Sequence, residues 1–117
     1  MQHHNKNRTF GRTRKVRTAL MRGLALSLIE HGKIQTTEAK AKELRPYIER
    51  IITRGKDDSI ASRRLIATRL GEPSSAVISK IFTDISKRYA DRNGGYTRII
   101  KLGDTPAGRT EAFIEFV

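Results

Sequence analysis

The chain has 117 residues, 37% of them hydrophobic, and carries 24 Lys and Arg against 12 Asp and Glu, a net charge of +12. Its length suits one small globular domain with an extended segment, and its charge favours a nucleic-acid partner. The lack of cysteine excludes disulfides and Cys-ligated zinc, and apolar runs such as residues 24–26 are too short to cross a bilayer.

The N-terminal 29 residues carry no acid before Glu30, and they hold seven of the twelve net positive charges. Phe10 is the only large apolar residue between positions 2 and 13, so this stretch cannot order itself by burial. We predict a basic RNA-binding arm at residues 1–13 and a single globular domain at residues 14–117. The seven bases are Lys6, Arg8, Arg12, Arg14, Lys15, Arg17 and Arg22.

A first helix is predicted from residue 13 to residue 31, because apolar residues recur at four-residue steps and Gly32 follows them. Arg17 falls inside the apolar stripe at 100° per residue, so we expect the first turn to project past the core, with Arg17 able to meet a phosphate. The predicted stripe consists of Val16, Leu20, Leu24 and Leu28, with Met21 beside them.

A short extended segment at residues 33–36 leads to Thr37, whose hydroxyl is placed to cap a second helix beginning at Glu38. Pro46 lies inside the helical pattern, which predicts a kink or two shorter helices, and Gly55 ends the run. The expected buried face is Ala41, Leu44, Ile48, Ile51 and Ile52.

A third helix is predicted from residue 59 to residue 70, with Gly71 and Pro73 breaking it. Its expected inward residues are Ala61, Leu65, Ile66 and Leu70. A fourth helix carries apolar residues at spacings of three and four, which are Ile78, Ile81, Phe82, Ile85 and Tyr89.

The period then falls to two, which predicts strands at residues 96–102 and 111–117. Two strands alone are marginal in water, so we expect residues 33–36 to add a third and helices to cover one face. The sequence predicts a two-layer α+β domain in the order helix, strand, three helices, two strands, with the extended basic arm in front.

Catalysis finds little support in the sequence. Only His3, His4 and His31 titrate near neutral pH, and no nucleophile motif such as Gly-x-Ser-x-Gly is present. His31 lies at a predicted helix end, where a structural or RNA-contact role is expected. His3 could join the terminal amine around copper or nickel, but a basic tail requires no metal. We expect no enzyme activity, no metal and no cofactor.

A further basic cluster surrounds Gly94 and Gly95. The pair lacks the third glycine and the Lys-Ser/Thr of a phosphate-binding loop, so its simplest interpretation is a helix end before a strand. Glycines would also let a phosphate backbone approach closely, between guanidinium groups and a stackable phenol. The flanking residues are Arg92, Asn93, Tyr96, Thr97 and Arg98. Arg63, Arg64 and Lys101 fit a nucleic-acid contact and ordinary solvated charge equally well.

Four stretches stand in order along the chain: Gly-Arg-Thr at 11–13, Leu-Ile-Glu-His-Gly-Lys-Ile-Gln-Thr-Thr at 28–37, Ala-Lys-Ala-Lys-Glu-Leu-Arg-Pro at 39–46 and Gly-Gly-Tyr-Thr-Arg-Ile at 94–99. Together they resemble the L-seventeen family of bacterial-type large ribosomal subunit proteins. The likeness runs the length of the chain. Its opening Gln2, His3 and His4 depart from the usual Met-Arg-His-Arg, and the loop at residues 104–109 is less basic than the family's.

The resemblance implies the same element order and a structural role in the ribosome of the cytoplasm or of an organelle. The implied partners are large-subunit ribosomal RNA, near the rim of the peptide exit tunnel, and neighbouring large-subunit ribosomal proteins, with no membrane and no small-molecule substrate. The implied RNA contacts are Lys6, Arg8, Arg12, Arg14, Arg17 and Arg22, together with Tyr96, Thr97 and Arg98. A separate RNA chaperone or regulator and a DNA-packaging protein are the alternatives.

Overall fold

The computed structural model describes residues 13–117, and the predicted basic arm upstream of Thr13 lies outside the described residues. Helix α1 spans Arg14–His31, and the Thr13 hydroxyl caps it by accepting a hydrogen bond from the Val16 amide at 3.3 Å. The helix ends at Gly32, as predicted. Its first turn is exposed and Val16 is 50% exposed, which confirms that α1 begins beyond the core.

The buried face of α1 differs from the predicted stripe. Only the C-terminal half of the helix packs on the domain. Its buried face is rotated about the helix axis relative to the predicted one, so that Ala25 and Ile29 take the place of part of the leucine stripe. Leu28 is buried as expected, whereas Leu20 and Leu24 are half-buried and Val16 is largely exposed. The buried residues of α1 are Met21, Ala25, Leu28 and Ile29.

Strand β1, Lys33–Thr37, leads directly into helix α2, Glu38–Gly55. The Thr37 hydroxyl accepts a hydrogen bond from the Lys40 amide at 3.3 Å, which confirms the predicted cap. All five residues expected on the buried face of α2 are buried. The helix is one element through Pro46, so the expected split into two shorter helices is wrong. Leu44 and Ile48 flank the proline and pack into the same core, which holds both halves in one helix.

Helix α3 spans Ile60–Arg69 and buries Ile66, while Leu70 is buried immediately after it. Ser62 takes the place that Ala61 was expected to fill, because Ala61 is exposed and Ser62 is buried. The Ser62 hydroxyl donates to an Asp57 carboxylate oxygen at 3.1 Å, so the buried polar group has a partner. Leu65, expected inside, is half-buried.

The fourth helical segment consists of α4, Ser75–Lys80, a π-helical turn, Ile81–Ile85, and α5, Ser86–Arg88. The turn adds a residue to the helical repeat and brings Ser86 to the buried side, where its hydroxyl donates to the Ile52 carbonyl at 3.0 Å. A Cβ at Gly55 would overlap this hydroxyl, so Gly55 permits close packing in addition to ending α2.

Strands β2, Thr97–Asp104, and β3, Thr110–Phe116, complete an antiparallel sheet in the order β1-β3-β2. The segment after Gly32 is therefore the third strand, as predicted. Ile114 in the central strand lies opposite Ile34 of β1 and Ile99 of β2, and these residues face the helices. The predicted two-layer α+β domain and its element order are confirmed.

Candidate nucleic-acid interface

Arg63 is engaged within the domain. Its guanidinium donates to both carboxylate oxygens of Asp58, at 2.7 and 3.2 Å, and lies 4.7 Å from the centre of the Phe82 ring. This hydrogen bonding holds the pKa of Asp58 below its ordinary value. The two-pronged bond fixes the segment before α3, so the structure gives Arg63 a stabilising role of its own.

Arg22 also supports the fold, by joining α1 to the end of α3. Its guanidinium donates to the carbonyls of Arg69, at 3.1 Å, and Thr68, at 3.3 Å. The Tyr47 hydroxyl of α2 donates to the same Arg69 carbonyl at 2.7 Å. The last carbonyls of a helix lack partners within it and form its negative end, so a guanidinium is well placed there. Three helices are thereby fixed relative to one another.

The glycine turn is built differently from the sequence expectation. Tyr96 is 1% exposed, and its hydroxyl lies 3.0 Å from the Thr53 hydroxyl. The Lys56 ammonium lies 4.8 Å from the centre of the Tyr96 ring, and the Tyr89 ring packs against it at 5.2 Å. The expected stackable phenol is therefore not presented at the surface. Thr97 is buried as well.

Glu49 of α2 fixes this turn, and sequence reasoning missed it. Its carboxylate accepts hydrogen bonds from the Gly95 amide at 3.1 Å, the Thr97 amide at 3.3 Å and the Thr97 hydroxyl at 2.9 Å. Gly94 and Gly95 have φ angles of 83° and 64°, a region that glycine reaches without strain. Tyr96 and Thr97 thus shape the turn, while Arg92 and Arg98 on either side of it are exposed.

Arg98 donates to Glu115 of the neighbouring strand at 2.7 Å, yet its side chain remains 61% exposed. Lys101 lies 3.3 Å from Glu38, and its side chain is 64% exposed whereas that of Glu38 is 18% exposed. Arg64 lies exposed on α3, and Arg14 and Lys15 lie exposed in the first turn of α1. Arg98 and Lys101 line one cavity together with Lys42, Arg45 and Ile99. The expected contacts Lys6, Arg8 and Arg12 lie outside the described residues.

A basic face that the sequence analysis largely missed runs across α1, α2 and α3. One cavity is lined by Arg17, Thr18, Met21, Glu43, Pro46, Tyr47 and Arg50. A second, which we call the α2–α3 groove, shares Arg50 and is lined by Arg50, Ile51, Arg54, Leu65, Ile66 and Arg69. Of its residues, Arg17 is among the predicted phosphate contacts, and the further signal in the sequence is Arg50 and Arg54, two bases at i and i+4 with no acid between them.

The described residues contain no candidate for two other kinds of site, a metal centre and a membrane-spanning helix. Residues 13–117 contain no cluster of three or more His, Asp or Glu able to hold a metal ion. None of the described helices is long and apolar enough to cross a membrane. His31 is exposed at the end of α1, 3.9 Å from Glu30. Guanidinium groups around a groove and along exposed helices are suited instead to binding phosphates.

Comparison with known proteins decides the family. The model of the family described as ribosomal protein L17 matches residues 20–117. The chain belongs to the ribosomal protein L17 family. It is 50% identical to large ribosomal subunit protein bL17 of Hydrogenobaculum sp. over 119 residues, covering all of this chain and 99% of that protein.

Two further relatives support the same family assignment. The chain is 48% identical to large ribosomal subunit protein bL17 of Sphingopyxis alaskensis, with 100% of this chain and 84% of the relative covered. It is 45% identical to the protein of the same name from Persephonella marina, with 100% and 95% covered. The resemblance found in the sequence is thereby confirmed. The L17 family is a family of structural ribosomal proteins, which supports the expectation that the chain is not an enzyme.

Proposed function

We propose that this L17 protein is a structural constituent of the large ribosomal subunit that binds large-subunit ribosomal RNA and supports subunit assembly and translation in the cytoplasm. The central observation is the arrangement of its charge. The N-terminal 29 residues carry seven bases and no acid, and α1 presents Arg14 and Lys15 on an exposed turn beyond the core. Basic segments of this kind bind RNA by displacing the cations condensed on its phosphates.

The domain supplies a second set of contacts to the same RNA. Arg64, Arg92 and Arg98 are exposed, and the α2–α3 groove adds three more guanidinium groups. Arg22 and Arg63 position the helices that carry these groups, and Tyr96 and Thr97 shape the turn between Arg92 and Arg98. We assign these four residues a positioning role that keeps the exposed cations in place.

We also propose where the protein lies within the large subunit. The four family-like stretches support a place near the rim of the peptide exit tunnel, beside neighbouring large-subunit proteins. Crosslinking of purified large subunits followed by mass spectrometry tests it. Crosslinks to RNA and proteins at the tunnel opening are the expected result, and crosslinks confined to the subunit interface would contradict this position.

A charge-removal variant of the full chain tests RNA binding. The substitutions K6Q, R8Q and R12Q keep the length of the arm and leave the Thr13 cap intact. Each lost phosphate contact should lower the slope of log affinity against log salt by ~0.7–0.9, so the triple variant should lose about 2 units of slope. The measurement is a titration of a large-subunit ribosomal RNA fragment between 50 and 200 mM salt, the range over which such contacts change affinity by orders of magnitude.

The matched control carries H3Q and H4Q, which alter the same segment without removing a fixed charge. It should bind like the unmodified protein at neutral pH. An unchanged slope in the triple variant would exclude the arm from the RNA interface. Equal affinity for duplex DNA and the RNA fragment would favour the DNA-packaging alternative.

A further inference from the structure

The α2–α3 groove combines an apolar floor with a basic rim. Ile51 of α2 and Ile66 of α3 are almost fully buried, and the half-buried Leu65 completes the floor. Arg50 and Arg54 rise from α2, one helical turn apart, and Arg69 faces them from the end of α3. The cavity measures ≈ 170 Å³. Pockets that enclose a whole small molecule measure ~300–1,000 Å³, so this groove suits one part of a larger ligand.

The residues that line the groove include three arginines and no acid, while Glu43 lies in the neighbouring cavity that shares Arg50. Arg50 donates a hydrogen bond to the Pro46 carbonyl at 3.1 Å. Like charges at i and i+4 on a helix repel each other, so Arg50 and Arg54 weaken α2 slightly until an anion lies between them. The groove is therefore electrostatically complementary to a phosphate.

The rim is also held in place before any ligand arrives. The Arg69 carbonyl accepts hydrogen bonds from Arg22 and Tyr47, which fixes the end of α3 against α1 and α2. The Arg69 side chain consequently projects from a backbone anchored to two other helices. Binding a ligand therefore has to order the Arg69 side chain but not the helix end that carries it.

We propose that the α2–α3 groove holds a single unstacked nucleotide of the RNA, with the base against Leu65, beneath which Ile51 and Ile66 are buried, and its flanking phosphates on the three guanidinium groups. This inference rests on the proposed RNA-binding function and specifies one subsite of it. A phosphate alone would leave the apolar floor uncovered. An apolar side chain of a protein would bury the arginines without an anion, which is unfavourable. Extruded bases, in contrast, offer a flat apolar face next to charged phosphates.

Two full-length variants separate the base contact from the phosphate contact. R54A removes one phosphate partner and should lower the salt slope for the large-subunit RNA fragment by ~0.7–0.9. L65A removes apolar floor without changing charge, and it should weaken binding about tenfold at an unchanged salt slope, because the base loses part of an apolar contact with a half-buried side chain. L65M, which keeps the floor apolar, should bind like the unmodified protein. Circular dichroism and urea unfolding establish that each variant is folded.

The matched control is R88A, which removes an arginine that pairs with Asp84 and lines a different cavity with Glu30 and Asp84. Ultraviolet crosslinking should place a base on the peptide containing Leu65 in the unmodified protein and in R88A, but not in L65A. If R54A lowers the slope while L65A binds normally, the groove holds phosphate only and the base subsite is wrong.

The outcomes also separate this inference from the function on which it rests. If R54A and L65A both behave like R88A while the K6Q, R8Q and R12Q variant loses affinity, the groove proposal fails and RNA binding by the protein stands. If none of these variants changes RNA affinity, both proposals fail. Loss of a neighbouring ribosomal protein from subunits containing L65A, with normal RNA binding, would assign the groove to a protein partner and overturn the nucleotide proposal.

Discussion

Replacement of Glu49 by glutamine tests how strongly α2 holds the glycine turn. The carboxylate accepts three hydrogen bonds from Gly95 and Thr97, and a 3.5 Å ion pair joins it to Arg45. An amide keeps one acceptor oxygen. It can retain the two bonds to Thr97 or the bond to the Gly95 amide, but it cannot retain all three, because its NH₂ group only donates.

The expected loss of folding stability in E49Q follows from the replacement of a charged carboxylate acceptor by a neutral amide oxygen. A hydrogen bond to a charged group contributes ~1.5–3 kcal/mol and a neutral one ~0.5–1.5 kcal/mol. One bond is lost and two become neutral, while partial exposure of the Glu49 side chain, 20%, reduces the difference. The pair with Arg45 adds only a few tenths of a kcal/mol, as exposed pairs do. We expect E49Q to lower the free energy of unfolding by ~2 kcal/mol, or the melting temperature by roughly 8 °C.

Urea unfolding of the full chain measures this change, with E30Q as the matched control. Glu30 is 73% exposed and lies 3.9 Å from the His31 imidazole, so E30Q should change stability by less than ~0.5 kcal/mol. A double-mutant cycle of E49Q with T97V should show a coupling of at least ~0.5 kcal/mol. Equal losses in E49Q and E30Q, or a coupling of zero, would refute the role of Glu49 in the turn.

Two further substitutions test the packing of α2 and the acid sensitivity of the domain. G55A should lower the free energy of unfolding by ~2 kcal/mol in urea, because its Cβ would overlap the Ser86 hydroxyl, and G55A combined with S86G should cost less than the sum of the two separate losses. Fully additive losses would contradict this explanation. The pKa of Asp58 is lowered by its bond to Arg63, so its contribution is complete above its ordinary pKa of 3.8 and is lost as the pH falls below that value. In D58N, stability measured from pH 6 to pH 2.5 should fall less steeply, and a slope equal to that of the unmodified protein would exclude the contribution.

Local patterns predicted most of the fold because the deciding contacts lie within a few residues. The caps at Thr13 and Thr37 and the buried face of α2 depend on spacings of three and four along the chain. The buried face of α1 could not be read in this way. Stripes beginning at Val16 and at Met21 are both apolar, and the packing of α1 on α2 and α4 decides between them. The same holds for Ala61 and Ser62, since the partner of Ser62 is Asp57.

The geometry of the candidate site depends more than the helices and strands do on contacts between residues that are distant in sequence. The partners that bury Tyr96 and Thr97 are Thr53 and Glu49, more than 40 residues away in sequence. A sequence containing Gly-Gly-Tyr-Thr-Arg shows a phenol beside bases but does not show that the phenol points inward. Arg50, Arg54 and Arg69 gain significance only when α2 and α3 lie side by side.

The first turn of α1 shows where stability and function separate. Arg14 and Lys15 occupy the positive end of a helix whose first turn contains no acid, an arrangement that the helix dipole disfavours. Both residues are exposed beyond the core, so packing does not offset this local conflict. Arg22, one to two turns further along the same helix, is instead bonded to the carbonyls of α3. The charge that supports the fold at Arg22 therefore lies where α1 meets the core, and the local conflict at Arg14 and Lys15 is of the kind expected at a functional site, which supports the proposed RNA contact.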